Sequence, residues 1–146
     1  METKPPSGSY LTPSFEHAIV RDAMRPRVLS CTPDTPLITA AQRMAGEHVH
    51  ALVVLRRRDG GGSPGWALLS DRELLRNAER AEELTAGQAA ASDALTVAPD
   101  ERLVDVAQRM VTHGASHAVV VDRAVDRPIG MLSTLDVAGI LAWGRA

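Results

Sequence analysis

The sequence predicts an α+β fold of two β-α-β-β-α repeats related by a pseudo-twofold axis, with small sheets facing each other and helices outside. Three observations carry this prediction. The first is that the chain matches itself at an offset of 66 residues: PDTPLITAAQRM begins at Pro33 and PDERLVDVAQRM at Pro99. The same offset superposes Leu29 on Leu95, Gln42-Arg43-Met44 on Gln108-Arg109-Met110, and Val53-Val54 on Val119-Val120. An internal repeat decides architecture before local propensity does. The second is helical period at matching places, Leu37, Ala40, Ala41, Met44 and Leu103, Val106, Ala107, Met110, each at i, i+3, i+4, i+7. The third is the continuous apolar runs Ala51–Leu55 and Ala118–Val121, which suit strands covered on both faces. Two such units in one small chain pack with a cleft between them.

The elements follow in order. Residues 1–15, rich in Pro, Ser, Gly and Thr, read as a flexible tail or a strap across the body. Residues 16–81 form repeat one, and residues 82–146 form a linking turn and repeat two. A short helix in FEHAIVRDAM leads into repeat one and ends by Pro26. Each repeat opens with an extended piece, Val28–Cys31 or Ala94–Val97. A Pro-Asp helix start follows, with Pro36 tolerated in the first turn of the first copy. After the central strand comes a turn-rich gap, 56–65 or 122–128. A third strand is Trp66–Leu69 or Ile129–Leu132. A closing helix runs from Asp71 to about residue 81, or from Thr134 to about Trp143. In the link, Thr85 caps a single turn at 86–90.

Composition narrows the function classes. A formal net charge of -2 implies no polyanion, so no nucleic acid partner. The basic triplet Arg56-Arg57-Arg58 precedes Asp59-Gly60-Gly61-Gly62 and reads as a solvated loop edge. A single cysteine, Cys31, excludes a disulfide framework and favours a reducing compartment. No apolar run approaches the ~20 residues of a membrane span, and the N-terminus lacks an apolar signal core. The expectation is a cytoplasmic protein that needs no membrane.

At this point four elements together resemble a tandem pair of cystathionine-β-synthase (CBS) domains, a Bateman module, over residues 16–143. They are Val20-Arg21-Asp22-Ala23-Met24; the hydrophobic-x-Ser/Thr-x-x-Pro-Asp pattern at Leu29–Asp34 and Leu95–Asp100; Ser116-His117 before the valine run; and Gly130-Met131-Leu132-Ser133-Thr134-Leu135-Asp136-Val137. Three departures stand out. Val53 and Val119 occupy a position where the family often has Pro, Ala67 replaces the Gly of the closing signature, and Glu73 replaces its Asp. The resemblance implies a regulatory module that binds an adenine nucleotide or related adenosyl ligand between the repeats and catalyses nothing. It also implies a disc-like homodimer. The alternative reading is a structural dimerisation module without nucleotide.

The candidate site residues each have a plain structural reading beside the functional one. Ser133 and Asp136 form a capping box, as do Ser70 and Glu73 in its literal S-x-x-E form. The resemblance adds a ribose contact for Asp136, whose carboxylate can accept two hydroxyls, and a weaker one for the longer Glu73. Adenine would lie against Thr96, Val97, Ala98, His117 and Ala118 in repeat two. In repeat one the corresponding set is Ser30, Thr32 and His50, with Cys31 and Ala51. All of these read equally as strand core. Only four aromatics are present, so aliphatic walls would hold the base. Arg25, Arg27, His48, His50 and His113 are candidate phosphate cations and equally ordinary surface residues. His113 and His117 have metal-pair spacing, but Gly114 parts them, so no metal is expected. GGGSPG at Gly60 lacks a phosphate-loop ending. No nucleophile stands with a base, which predicts no enzyme. The expected ligand is AMP, ADP or ATP, with no required cofactor and an effector protein of unknown identity. Contiguous apolar helix faces are the expected dimer contacts: Leu37, Ala41, Met44; Leu103, Val106, Met110; and Ile140, Leu141, Trp143.

Overall fold

The structure, a computed structural model, describes residues 12–56, 65–90 and 94–145. The predicted tail up to residue 11 and the loop at 57–64 lie outside the described residues. In chain order the elements are α1 (Val20–Ala23), β1 (Ser30–Cys31), α2 (Leu37–Glu47), β2 (Ala51–Arg56), β3 (Gly65–Ser70), α3 (Asp71–Arg76), α4 (Ala86–Ala89), β4 (Thr96–Val97), α5 (Leu103–His113), β5 (His117–Asp122), β6 (Arg127–Ser133) and α6 (Thr134–Trp143). Two three-stranded sheets result, β1-β2-β3 and β4-β5-β6. In each the short first strand runs parallel to the second, and the second pairs antiparallel with the third. The mixed α+β class and the duplicated strand order follow the sequence prediction.

The compact units do not cut the chain in sequence order. One comprises residues 1–27 and 95–146, the other residues 28–94. Helix α1 therefore belongs with β4-β5-β6, and α4 with β1-β2-β3. The backbone shows why these two short helices are counterparts. Val20 N donates to Glu101 O at 2.9 Å, Arg21 N to Pro99 O at 2.8 Å, and Leu103 N to Ala18 O at 3.0 Å. Shifted by 66 residues, Ala86 N donates to Thr35 O at 2.7 Å, Gly87 N to Pro33 O at 2.9 Å, and Leu37 N to Leu84 O at 2.9 Å. The Pro-Asp segment before each long helix is the docking ledge for one helical turn. At Gly87 the fit is close enough that a Cβ would stand 2.9 Å from the Pro33 carbonyl oxygen.

That ledge corrects one expectation. The long helices do not start at Pro-Asp but at Leu37 and Leu103, after Pro36 and Arg102 in extended backbone. Residues 33–36 and 99–102 spend their polar groups on the docked turn. Both long helices close on a left-handed residue, His48 (φ 55°) in one and Gly114 (φ 60°) in the other. Helix α3 is shorter than predicted. Asn77 ends it by donating its side-chain amide to Glu73 O at 2.7 Å, and a 3-10 turn, Ala78–Arg80, follows. The helix expected over residues 15–24 reduces to α1, with Ile19 N bonded to the Asp22 carboxylate at 2.9 Å.

Each unit has its own core. Leu37, Ala40, Met44, Leu52 and Leu69 pack in one, and Val20, Leu103, Val106, Met110 and Leu132 in the other. Full burial of each leucine contributes about 1.5–3 kcal/mol. This overturns part of the proposed dimer surface: Leu37, Met44, Leu103, Val106, Met110 and Ile140 are core residues, because the single docked turns and the sheets cover them. Of the expected contacts Leu141 on α6 is 63% exposed, and Leu135 on the same helix is 69% exposed; Leu75 and Val111 are exposed on α3 and α5. Thr12 and Pro13 reach the other end of the same unit, where Arg145 N donates to Thr12 O at 3.0 Å and Pro13 bridges Arg145.

Candidate functional site

The unit containing α6 gathers the strongest candidates at the junction of β6 and α6. Strand β6 delivers Ser133 in extended backbone, and the helix turns immediately, so Ser133 becomes the N-cap. Asp136 Oδ2 accepts from Ser133 N at 2.8 Å and from Ser133 Oγ at 2.9 Å. Ser133 Oγ in turn accepts from Asp136 N at 3.2 Å. The capping box is thus formed in full, which satisfies the helix's first orphan amides. The second carboxylate oxygen, Oδ1, accepts from Arg25 Nε at 3.3 Å. The Asp136 side chain is only 9% exposed, whereas Arg25 is 71% exposed.

Arg25 reaches Asp136 because its backbone is stitched to β6. Arg25 N donates to Met131 O and Met131 N to Arg25 O, both at 2.9 Å. Gly130 makes the approach possible, since a Cβ there would stand 2.7 Å from Arg25 O and 2.9 Å from the Met24 sulfur. The glycine of the closing signature thus accommodates the chain after α1. Sequence reasoning placed Arg25 only among five possible cations. The signal for its partner was its position just after Val20–Met24, a segment that the repeat pattern assigns to repeat one.

The remaining residues of this unit divide by face. Thr96 is exposed and His117 half-buried, and His117 Nδ1 lies 3.1 Å from Ser116 Oγ. Val97, Ala98 and Ala118 are buried, with Val97 and Ala118 in the hydrophobic core. Their side chains are not available to a ligand, and of Ala98 only the carbonyl, which already accepts from Glu101 N, has a lone pair left. The loop before α5 is braced by Glu101, which accepts from Ala98 N at 2.8 Å and from Arg109 at 2.9 Å.

The other unit repeats the scaffold with different chemistry. Ser70 is buried and caps α3, and Glu73 Oε2 accepts from Ser70 N at 2.8 Å and from its hydroxyl. The longer Glu thus folds back onto the cap, as the S-x-x-E reading requires. His50 lies 3.3 Å from the Asp71 carboxylate, with both side chains largely exposed. Strand register equates His117 with Ala51, each opposite its capping serine, so His50 corresponds to Ser116. Thr32 bonds Asp34 and Thr35 within the docking ledge. Ser30 is exposed, and its carbonyl accepts from Arg43 at 2.7 Å. Burial pushes the Cys31 thiol above its ordinary pKa, opposed by a hydrogen bond with Thr35.

A cavity of about 330 Å³ opens in this unit, lined by Pro33, Val54, Arg56, Ala67, Thr85, Gly87 and Gln88. It lies towards the end of the β2–β3 pair remote from Ser70, and no candidate site residue lines it. Among the described residues no three His, Cys, Asp or Glu gather as a metal site. No described helix is long and apolar enough to cross a membrane.

In comparison with known proteins, the CBS domain family model matches residues 20–78 and again residues 86–142. No curated protein matches the chain. Among solved structures, a hexameric CBS-CP12 protein from bloom-forming cyanobacteria superposes with a TM-score of 0.73 at 14% identity, covering 83% of this chain and 69% of its own. A CBS domain pair in complex with 5'-methylthioadenosine and S-adenosyl-L-methionine gives 0.70 at 16% identity, with 83% and 97% covered. A CBS domain protein from Pyrobaculum aerophilum complexed with AMP gives 0.68 at 23% identity, with 82% and 89% covered.

Proposed function

The chain belongs to the CBS domain family, as a tandem pair, and from that premise we propose that it is a non-catalytic regulatory module binding an adenine nucleotide at the Ser133–Asp136 helix start. CBS domain pairs are generally regulatory rather than catalytic, and relatives of the same fold are complexed with AMP or with methylthioadenosine and S-adenosylmethionine. The observation that carries the reading is Asp136. Its carboxylate is nearly buried, one oxygen is committed to the cap, and the other faces a solvent-exposed cation. A carboxylate oxygen with one long bond retains a lone pair for a ribose hydroxyl. Thr96 and His117 border the same unit's exposed side. Val97 and Ala118 contribute backbone groups that read the adenine edge, and Ala98, whose N–H is held by Glu101, contributes only its carbonyl's remaining lone pair. In the other unit Ser30, Thr32, His50, Ser70 and Glu73 form the weaker half-site, since Glu73 is folded onto its own cap. The working place is the cytoplasm, and the ligand is AMP, ADP or ATP.

Calorimetry tests this. A hydrogen bond to a charged group contributes about 1.5–3 kcal/mol, so its loss weakens binding roughly ten- to a hundredfold. Asp136→Ala is expected to lose nucleotide affinity by that factor, and Glu73→Ala to change it little. Equal losses would mean equivalent half-sites, and no loss in either would remove the ribose from these residues. Turnover of ATP that vanishes in Asp136→Ala would overturn the non-catalytic reading.

The exposed α6 face supports a homodimer, and gives the structural-module reading its own basis. Leu135, Ala138, Leu141 and Ala142 lie on one stripe of a helix that is apolar all round, and such faces are ordinarily covered. Leu141→Glu is expected to shift sedimentation from dimer to monomer. A dimer so broken, with no nucleotide bound by the wild type, would favour the structural module.

A further inference from the structure

The Arg25 guanidinium is held by one edge only. Nε reaches Asp136 Oδ1 at 3.3 Å, while the two terminal amines have no partner among the described residues. The backbone beneath it is pinned to β6 by two 2.9 Å bonds with Met131. Strand and carboxylate together fix where the fork begins, and the side chain is 71% exposed. A planar fork of this kind matches the oxygens of a phosphate bidentately. Its charge is also incompletely offset, because Asp136 shares its own charge with two capping donors.

Resting on the reading that Asp136 takes a ribose hydroxyl, we infer that Arg25 is a specificity-determining residue that reads the ligand's phosphate. The site then selects nucleoside phosphates over uncharged or sulfonium adenosyl compounds. Oδ1 orients the fork and still has a lone pair for the sugar, so one ligand satisfies both residues without breaking their pair. The device occurs once among the described residues. The 66-residue offset puts Ala91 in place of Arg25, and strand register puts Ala67, opposite Val54, in place of Gly130, opposite Val120, so the Glu73 half lacks both the cation and the glycine that admits it.

The test is calorimetry of wild type, Arg25→Gln and Arg25→Lys with AMP, adenosine and 5'-methylthioadenosine, at low and high salt. Wild type should bind AMP at least tenfold tighter than adenosine or methylthioadenosine, with the advantage shrinking as salt rises. Arg25→Gln should bring AMP down to the adenosine level and leave adenosine within about twofold. Arg25→Lys should recover part of the difference, as a point charge without the fork. If Arg25→Gln weakens AMP and adenosine alike, Arg25 merely positions Asp136 and the inference falls while the ribose site stands. If wild type does not distinguish AMP from adenosine at any salt, the anion is not read. If AMP binds but Asp136→Ala leaves it unchanged, the underlying site is misplaced, and the inference goes with it.

Discussion

Asp136 is cap and cation anchor at once, and two substitutions separate the roles. Alanine removes the acceptor for Ser133 N and Oγ and leaves Arg25 unpaired. A half-buried amide left without a partner costs about 1–3 kcal/mol. The Arg25 pair adds little, because an ion pair with one partner so exposed contributes roughly 0–1 kcal/mol after screening. Asp136→Ala should therefore destabilise the fold by about 2 kcal/mol, a melting-point drop of about 8 °C at roughly 4 °C per kcal/mol for a chain of this size. Asparagine keeps an acceptor for the cap and loses the charge together with the acceptor for the exposed Arg25, so Asp136→Asn should cost about 0.5 kcal/mol, near 2 °C. Scanning calorimetry, with urea midpoints as a check, reads both. If asparagine costs as much as alanine, the charge and not the box holds the α6 start. If alanine costs under about 0.5 kcal/mol, the half-buried box contributes nothing beyond what water supplies.

Three further outcomes are expected. Gly130→Ala should destabilise by about 1–3 kcal/mol, as overpacking does, because its Cβ would meet backbone at Arg25; urea unfolding measures it. His48→Gly should raise the urea midpoint, by about 0.5–1 kcal/mol in stability, because it relieves a left-handed non-glycine residue where the other repeat already uses Gly114. Burial raises the Cys31 pKa, so above about pH 8.5 the unfolded chain releases this proton while the folded one keeps it. Stability should then fall with rising pH, less steeply in Cys31→Ser, and iodoacetamide should label the native thiol more slowly than the urea-unfolded one.

Much of the fold was legible because duplication makes weak local signals confirm each other. The helical period of Leu37–Met44 and Leu103–Met110, and the apolar runs around Val53 and Val119, recur at one offset and mark the same elements twice. The single docked turns were not legible in their true roles. Val20–Ala23 and Ala86–Ala89 share almost no side-chain pattern, because what docks them is backbone: three hydrogen bonds to Pro-Asp segments that sequence reasoning spent on starting helices. The apolar faces of α2 and α5 read as surface for the same reason. At the site, the S-x-x-D and S-x-x-E boxes were readable from spacing alone. The Arg25–Asp136 contact spans 111 positions and depends on Gly130 admitting the chain after α1, so no local pattern announces it.

The asymmetry between the units has its origin in these docked turns. A docked turn needs only backbone, so α1 and α4 can diverge in side chains without weakening either ledge. The segment after each turn is then free to differ. After α1 comes a cation that a glycine-bearing strand admits and an aspartate anchors; repeat one has Ala67 at the glycine position and a glutamate that reaches back to its own cap. Asp and Glu serve the cap equally well, since each puts one oxygen on the serine amide at 2.8 Å. They differ in what they can still offer. Asp136 leaves its second oxygen at Arg25, where the proposed nucleotide would meet both residues, while Glu73 has no such neighbour among the described residues. Scaffold stability therefore constrains the two positions alike, and the presence of Arg25 separates their roles. Installing aspartate at Glu73 should accordingly preserve the fold yet create no second phosphate-sensitive site, and a Glu73→Asp variant that bound two equivalents of AMP would show that the carboxylate alone suffices.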